Sequence, residues 1–262
     1  MKKDEQSVAV VTGAARGIGR GFARSLARRG YAVVIVDIDA VALGSLQSEL
    51  ESLGVQVFTV VQDVADPGAF NRLRDHILSR FGKLDLVVNN AGILTSGRSW
   101  EIEPEAWQRV ANINLWSAVN SSRAFVPCMA KSGGRIVNVA SMGGLAAGPW
   151  LAPYCVTKYG VVAFSECLSA ELEAEGIPIR ISVVCPSAVR TGIADSLDAS
   201  SGESPCESMD TALTKMISEG TDPDAFADRV MDEVQQGKFW ILIHDDVHEA
   251  VKSRTADILA NA

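Results

Sequence analysis

The sequence is poor in histidine, with three, and its five cysteines include no C-x-x-C pair. Cys128, Cys155, Cys167, Cys185 and Cys206 are odd in number and follow no secretory leader, so reduced thiols are expected rather than a disulfide framework. His244 and His248 share the four-residue spacing of a zinc-binding helix face, but the glutamate such a motif needs after its first histidine is Asp245 here. No metal is expected. Positive charge is also in deficit, with 24 Lys and Arg against 32 Asp and Glu and a net charge of -8. That excludes general affinity for nucleic acid or an anionic membrane, both of which are held by Lys and Arg clusters. Nor does any stretch approach the roughly 20 consecutive apolar residues that span a bilayer. Met1 to Gln6 lacks the apolar run of a signal peptide. A cytoplasmic chain with no nucleic-acid or membrane partner is the expectation.

What the chain does have is alternation. Val8–Thr12, Ala32–Val36, Gln56–Val61, Leu84–Asn89, Arg135–Ala140, Ile179–Cys185 and Phe239–Ile243 are short, apolar and rich in β-branched residues. Between them, Arg20–Arg29, Ala40–Leu53, Gly68–Phe81, Glu103–Lys131 and Pro153–Glu175 have helical length and apolar spacing. Strands buried on both faces read as such continuous runs, and right-handed crossovers then wind them into a seven-stranded parallel sheet. The expected fold is a single α/β domain over residues 1–262, doubly wound and Rossmann-type, with its ligand crevice at the strand C-terminal ends. Composition shifts once, at Ser196–Ser208, which suits either a lid or an ordinary surface loop. Helical pattern resumes at Met209–Glu219, and Asp222-Pro223 supplies the cap and first residue of another helix, so residues 193–236 are expected to form a flap.

Chemistry concentrates where strands end. Thr12-Gly13-Ala14-Ala15-Arg16-Gly17-Ile18-Gly19 follows the first strand, and glycines there let backbone approach a pyrophosphate whose charge meets free N–H groups at a helix N-terminus. Asp37 closes the second strand, where a carboxylate can accept hydrogen bonds from ribose hydroxyls. Asp63-Val64 ends the third, and Asn89-Asn90-Ala91-Gly92 ends the fourth. Asn114 lies within the fourth helical segment. Ser141 follows the fifth strand, and Tyr154 comes thirteen residues later with Lys158 four residues beyond, on the same helical face. Pro186 to Thr191 follows the sixth strand.

In order and spacing these segments resemble the short-chain dehydrogenase/reductase family: G-x-x-x-G-x-G, N-N-A-G, a helical Asn, Ser, Y-x-x-x-K and P-G-x-V-x-T, with Ser187 replacing the last motif's glycine. The likeness is close over residues 7–192 and loose from Ile193 onward. It implies that Tyr154 is the acid/base for hydride exchange between a nicotinamide and an alcohol or carbonyl. Ser141 would hydrogen-bond the same substrate oxygen, Lys158 would hold ribose hydroxyls, and Asn114 would hold a water in a proton path. The cofactor site implied comprises Gly13, Arg16, Gly17, Ile18, Gly19, Asp37, Asp63, Val64, Asn90, Ala91, Gly92, Tyr154, Lys158, Pro186, Val189 and Thr191. A free phenol has a pKa near 10, and a nearby ammonium is expected to lower it.

NAD is expected in preference to NADP, because a like-charge pair 4 Å apart at an effective dielectric of 20 costs about 4 kcal/mol and Asp37 would repel a 2′-phosphate. Arg16 opposes that expectation, unless it is tied to Asp37 or Asp39. Candidate substrate contacts are Ser141, Tyr154, Met142, Trp150 and Ala188, with Leu94, Thr95 and Gly143 nearby. Trp150 suits a bulky or aromatic secondary alcohol, or else packs into the core. Gly237 to His244 is similar to family members acting on bulky alcohols. The alternatives are an NADPH-dependent 3-oxoacyl-type reductase, a dehydratase or epimerase, and a nucleotide sensor without turnover. The family also implies a homo-oligomer, a dimer or tetramer.

Overall fold

The computed structural model describes residues 6–197 and 207–261. Most of the Ser196–Ser208 segment, and with it Cys206, lies outside the described residues.

Seven parallel strands form one sheet: β1 (Val8–Thr12), β2 (Ala32–Asp37), β3 (Val57–Val61), β4 (Leu86–Asn89), β5 (Gly134–Val139), β6 (Ile179–Val184) and β7 (Trp240–Ile241). Their spatial order is β3-β2-β1-β4-β5-β6-β7. The chain therefore moves outward from β1 to β3, returns to β4 beside β1, and continues the other way. That reversal opens the crevice of a doubly wound fold at the C-terminal ends of β1 and β4. Helices α1 (Gly17–Arg28), α2 (Ala40–Glu51), α3 (Ala69–Phe81), α4 (Pro104–Ala111), α5 (Ser117–Met129), α6 (Ala152–Ala174), α7 (Glu207–Ser218), α8 (Pro223–Gln235) and α9 (Asp245–Ala260) complete the chain.

The continuous apolar runs have a simple cause, because alternate residues of one strand serve two cores. Ala9, Val11, Val33 and Ile35 face α1, α2 and α8 through Phe22, Leu26, Leu46, Phe226 and Val230. Val8, Val10, Val34 and Val36 face α3, α5 and α6 through Phe70, Leu73, Phe125 and Leu168. Each such fully buried side chain contributes about 1.5–3 kcal/mol relative to exposure.

Three boundaries differ from the sequence expectation in ways that matter. Helix α1 begins at Gly17, three residues early, so the third glycine of the loop is already helical. The expected single helix Glu103–Lys131 is α4 and α5 joined by a π-helical turn, Asn112–Trp116. β7 shrinks to Trp240–Ile241, and His244 stands at the N-cap position of α9 with its side chain turned elsewhere. No helix among the described residues is long and apolar enough to cross a membrane.

Candidate functional site

The glycine loop is shaped by contacts that exclude any side chain. Gly13 has φ of +64°, and a Cβ there would lie 2.9 Å from the Cα of Ala91. A Cβ on Gly19 would lie 2.0 Å from the carbonyl oxygen of Gly13, so Gly19 acts by packing. Asn90 braces the same turn, donating from Nδ2 to the carbonyls of Thr12 (2.9 Å) and Gly13 (3.2 Å). The Thr12 hydroxyl accepts from the amides of Asn90 and Ala91. β1 and β4 thus hold their two loops against each other.

Asp37 is fixed by backbone donors. Oδ2 accepts from the Ala15 amide at 3.0 Å, and Oδ1 from Ile38 and Asp39 at 2.8 and 3.1 Å. Three of a carboxylate's roughly four acceptor positions are used, leaving one for a ligand hydroxyl. Arg16 is 67% exposed and pairs with Asp39 at 2.6 Å, the second of the two arrangements considered for it. That hydrogen bond raises the Arg16 pKa. Asp63 caps the Ala65 amide at 2.8 Å and Val64 is buried in the core beside α3. Neither lines the cleft.

Asn114 sits in the π-helical turn, a feature often found at functional sites. Its Oδ1 accepts from the Ile93 amide at 2.9 Å, and its Nδ2 donates to the Ile93 carbonyl at 3.0 Å and the Thr157 hydroxyl at 3.2 Å. A side chain that clamps the loop after β4 this way is held in place by the widened turn. The atom Oδ1 and the Nζ of Lys158 converge, each 3.5 Å from where a Cβ on Gly92 would stand.

Helix α6 carries Tyr154 and Lys158 to the end of β5. Lys158 is buried, and its ammonium donates to the carbonyl of Val139 at 2.9 Å, with Nζ 5.7 Å from the centroid of the Tyr154 ring. The Ser141 hydroxyl accepts from the Gly143 amide at 3.1 Å and is hydrogen-bonded to the Tyr154 phenol. Burial pushes the phenol up to about 12, opposed in part by the Ser141 hydrogen bond. Burial also brings the Lys158 ammonium down to about 8. The expected lowering of the Tyr154 pKa by its neighbouring ammonium is therefore reversed among the protein's own groups: burial of the phenol is the largest influence, and Ser141 rather than Lys158 is what opposes it.

Ser141, Tyr154 and Lys158 line one cleft of about 520 Å³, and Asn114 and Gly19 do not. Its first half runs from Asp37 and Arg16 past Gly13, Gly17 and Ile18 to Asn90, Ala91, Gly92 and Lys158, and its near wall is Pro186, Val189 and Thr191. The cradle that a Cβ would fill at Gly13, the free carboxylate position at Asp37 and the buried ammonium of Lys158 together fit a dinucleotide. The second half is apolar, formed by Leu94, Met142, Leu151 and Ile193 with Leu213, Met216 and Ile217 from α7. Ala188 also lines it. Trp150 does not. It adopts φ of +60°, strained for a bulky side chain, and its carbonyl accepts from the Gly97 amide, so the neighbouring Gly148 and Leu151 face the cleft instead. Ala250 of α9 reaches the cleft without having been anticipated, since a lone alanine on a polar helix carries no signal.

The family model for short chain dehydrogenases matches residues 7–202. The chain belongs to the short-chain dehydrogenase family. This short-chain dehydrogenase is 30% identical to the "CLA biosynthesis dehydrogenase/reductase" of Lactiplantibacillus plantarum over 100% of this chain and 96% of that one. It is 37% identical to the 1-deoxy-11-beta-hydroxypentalenate dehydrogenase of Streptomyces exfoliatus over 74% of this chain and 71% of that one. Among solved structures, a short chain dehydrogenase/reductase from Burkholderia phymatum in complex with NAD superposes with a TM-score of 0.94 at 31% identity, covering 100% of this chain and 97% of that one. An alcohol dehydrogenase from Thermococcus sibiricus complexed with 5-hydroxy-NADP superposes with a TM-score of 0.77 at 28% identity, covering 91% and 95%. The chain is an oxidoreductase of this family with a nicotinamide-type nucleotide cofactor.

Proposed function

We propose that this oxidoreductase is an NAD-dependent dehydrogenase acting on a bulky, hydrophobic secondary alcohol or the corresponding ketone. One observation carries it. The Ser141, Tyr154 and Lys158 side chains converge at the boundary between a cleft half that fits a dinucleotide and a half lined almost wholly by apolar groups. Apolar walls with a few convergent polar groups orient a hydrophobic ligand by one oxygen.

When bound, an oxidised nicotinamide dinucleotide supplies the hydride acceptor and a positive ring beside the phenol. Tyr154 takes the alcohol proton in oxidation and returns it to the carbonyl in reduction. Ser141, already bonded to the phenol, shares the substrate oxygen and meets its developing charge. Lys158, held by the Val139 carbonyl, keeps a positive charge near the tyrosine ring and would hold the ribose hydroxyls of the cofactor. Asn114 holds the loop after β4 and, through Thr157, the carbonyl end of the turn bearing Tyr154. Gly13, Gly17, Ile18, Asn90, Ala91 and Gly92 seat the cofactor, and Asp37 selects NAD by repelling a 2′-phosphate. An NADPH-dependent 3-oxoacyl-type reductase is the second reading, favoured by the exposure of Arg16 beside the adenosine end. Among the described residues, 193–197 and 207–236 act as the substrate flap of one domain. Two copies or four pack through α4, α5 and α6, where Trp116 and Val156 are exposed.

The test is a turnover screen of hydrophobic secondary alcohols, sugars and acyl thioesters with each cofactor. Oxidation of the first class with NAD supports the proposal; exclusive use of NADPH on acyl thioesters replaces it with the second reading.

A further inference from the structure

Ser187 stands where the family pattern has glycine, and both of its polar groups are engaged. Its amide donates to Nδ1 of His244 at 3.2 Å, and its hydroxyl donates to the carboxylate of Asp246. Among the described residues Trp150 is the non-glycine with a left-handed backbone, so the serine causes no strain of that kind. The far side of the imidazole is also occupied. Nε2 lies 3.0 Å from the Thr221 hydroxyl, and the ring stacks on Phe226 with centroids 5.5 Å apart and planes at 6°. Thr221 is itself joined to the cleft wall, donating its amide to Ala188 at 3.1 Å and accepting from the Arg190 amide at 2.9 Å. His244 therefore ties two points of one loop together: Ser187 directly, and the Ala188–Arg190 stretch through Thr221.

A backbone N–H is only a donor, so Nδ1 must present a lone pair and the proton must sit on Nε2, where it is donated to Thr221. A proton added at Nδ1 would place two donors against each other. We propose that His244 is a positioning residue for the cofactor cleft: in its neutral Nε2–H form it clasps Ser187 to Thr221, and protonation frees the Pro186–Thr191 wall and weakens dinucleotide binding. The effect on binding rests on the proposed reading of the cleft half walled by Pro186, Val189 and Thr191 as the cofactor half; the clasp itself does not. The groups facing the ring set where it titrates. Burial is the largest influence and lowers the pKa, as does Arg229 on α8, while Asp246 and Asp245 on α9 raise it. Phe226, Ser187 and Thr221 bring no charge. The net displacement is downward, so the clasp is closed at neutral pH and opens as acid is added.

Two measurements test it. Hydrogen exchange at the Ser187 and Arg190 amides, corrected for intrinsic rates, is followed in protein without nucleotide, and NAD affinity is measured by fluorescence titration. As pH falls from about 7.5 to about 4.5, a span that extends well below the ordinary histidine range because burial displaces His244 downward, the wild type should lose protection at both amides and bind NAD about fivefold or more weakly. His244→Asn keeps an acceptor near the Nδ1 position and cannot titrate, so it should remove the acid limb from both readouts. His244→Phe keeps the stack on Phe226 but loses the acceptor, and should be unprotected and weak-binding at both pH values. Unchanged wild-type protection across this range overturns the clasp, as does an acid limb that persists in His244→Asn. If NAD fails to bind the wild type at any pH, the cofactor assignment fails and the exchange data judge the clasp by themselves.

Discussion

The two halves of the cleft are held by different kinds of bond. On the cofactor side, Asp37, Thr12, Asn90 and Asn114 are each tied to backbone amides or carbonyls, most of them in neighbouring loops. On the substrate side, the wall is made of apolar side chains, Leu94, Met142, Leu151 and Ile193 with Leu213, Met216 and Ile217 of α7. α8, which follows α7 in the chain, docks on α1 through Phe226 and Val230, and through Arg24–Asp224, Arg28–Asp228 and Arg29–Asp232. Backbone partners are indifferent to most neighbouring side chains, so the first half tolerates change around it but not at the bonded residues. The second half can be relined by substituting apolar groups while the frame stands.

The sharpest break in this comparison is at the junction. Tyr154→Phe should lower kcat by about a thousandfold or more, since positioned acid–base groups contribute roughly 10²–10⁴. Its cofactor affinity should stay near wild type by direct titration. Equal loss of both would make Tyr154 a packing residue and dissolve the distinction between the halves.

On the cofactor side, Asp37→Asn should shift the ratio of kcat/KM for NAD over NADP by about tenfold to a hundredfold toward NADP, through relief of like-charge repulsion. Removing charge from Arg16 as well should reverse part of that gain. A ratio unmoved by Asp37→Asn, read from initial rates with both cofactors, would show that the carboxylate serves the glycine loop alone.

pH separates the tyrosine from its lysine. The phenol is raised to about 12 and the ammonium lowered to about 8, so the phenolate needed for oxidation accumulates only as pH rises. kcat/KM for alcohol oxidation should climb through the alkaline range, and that for ketone reduction should fall there. In Lys158→Met any inflection near pH 8, where the wild-type ammonium loses its proton, should be absent. Identical profiles for the two proteins would remove Lys158 from the acid–base unit.

The smallest effects belong to the substrate wall. Leu213→Ala or Met216→Ala should change KM for a hydrophobic alcohol by about tenfold, the scale of a few methylenes in an apolar pocket, and leave NAD affinity alone. A change in NAD affinity of that size would mean that α7 shapes both halves.

How much was legible follows the same division. The βαβ alternation foretold all seven strands, because the inner ones bury both faces and so carry an uninterrupted apolar run, while the edge strands β3 and β7 keep the run with Val61 and Trp240 exposed. The glycine loop, Asp37 and Tyr154 with Lys158 were legible because a few residues in sequence create each local geometry. Arg16 was legible only as a choice, and the 2.6 Å contact with Asp39 selects one branch. Trp150 was misleading: its place four residues before Tyr154 suggested the cleft, but its backbone turns the other way. The π-helical turn at Asn114 has no signature in apolar spacing, since it is a shift of backbone bonding within one turn, and Asn114 in it reaches Ile93, 21 residues away in the chain.

The sequence by itself determined the strands, the glycine loop and the placing of Tyr154 and Lys158 on one face of a helix, all of which depend on residues close together in the chain. Only the tertiary structure decided that the phenol is raised by burial, that α7 and Ala250 of α9 line the apolar half, and that Ser187 meets His244 across 57 residues. Desolvation and long-range donor–acceptor pairing depend on what surrounds a group in space, and chain spacing does not encode that.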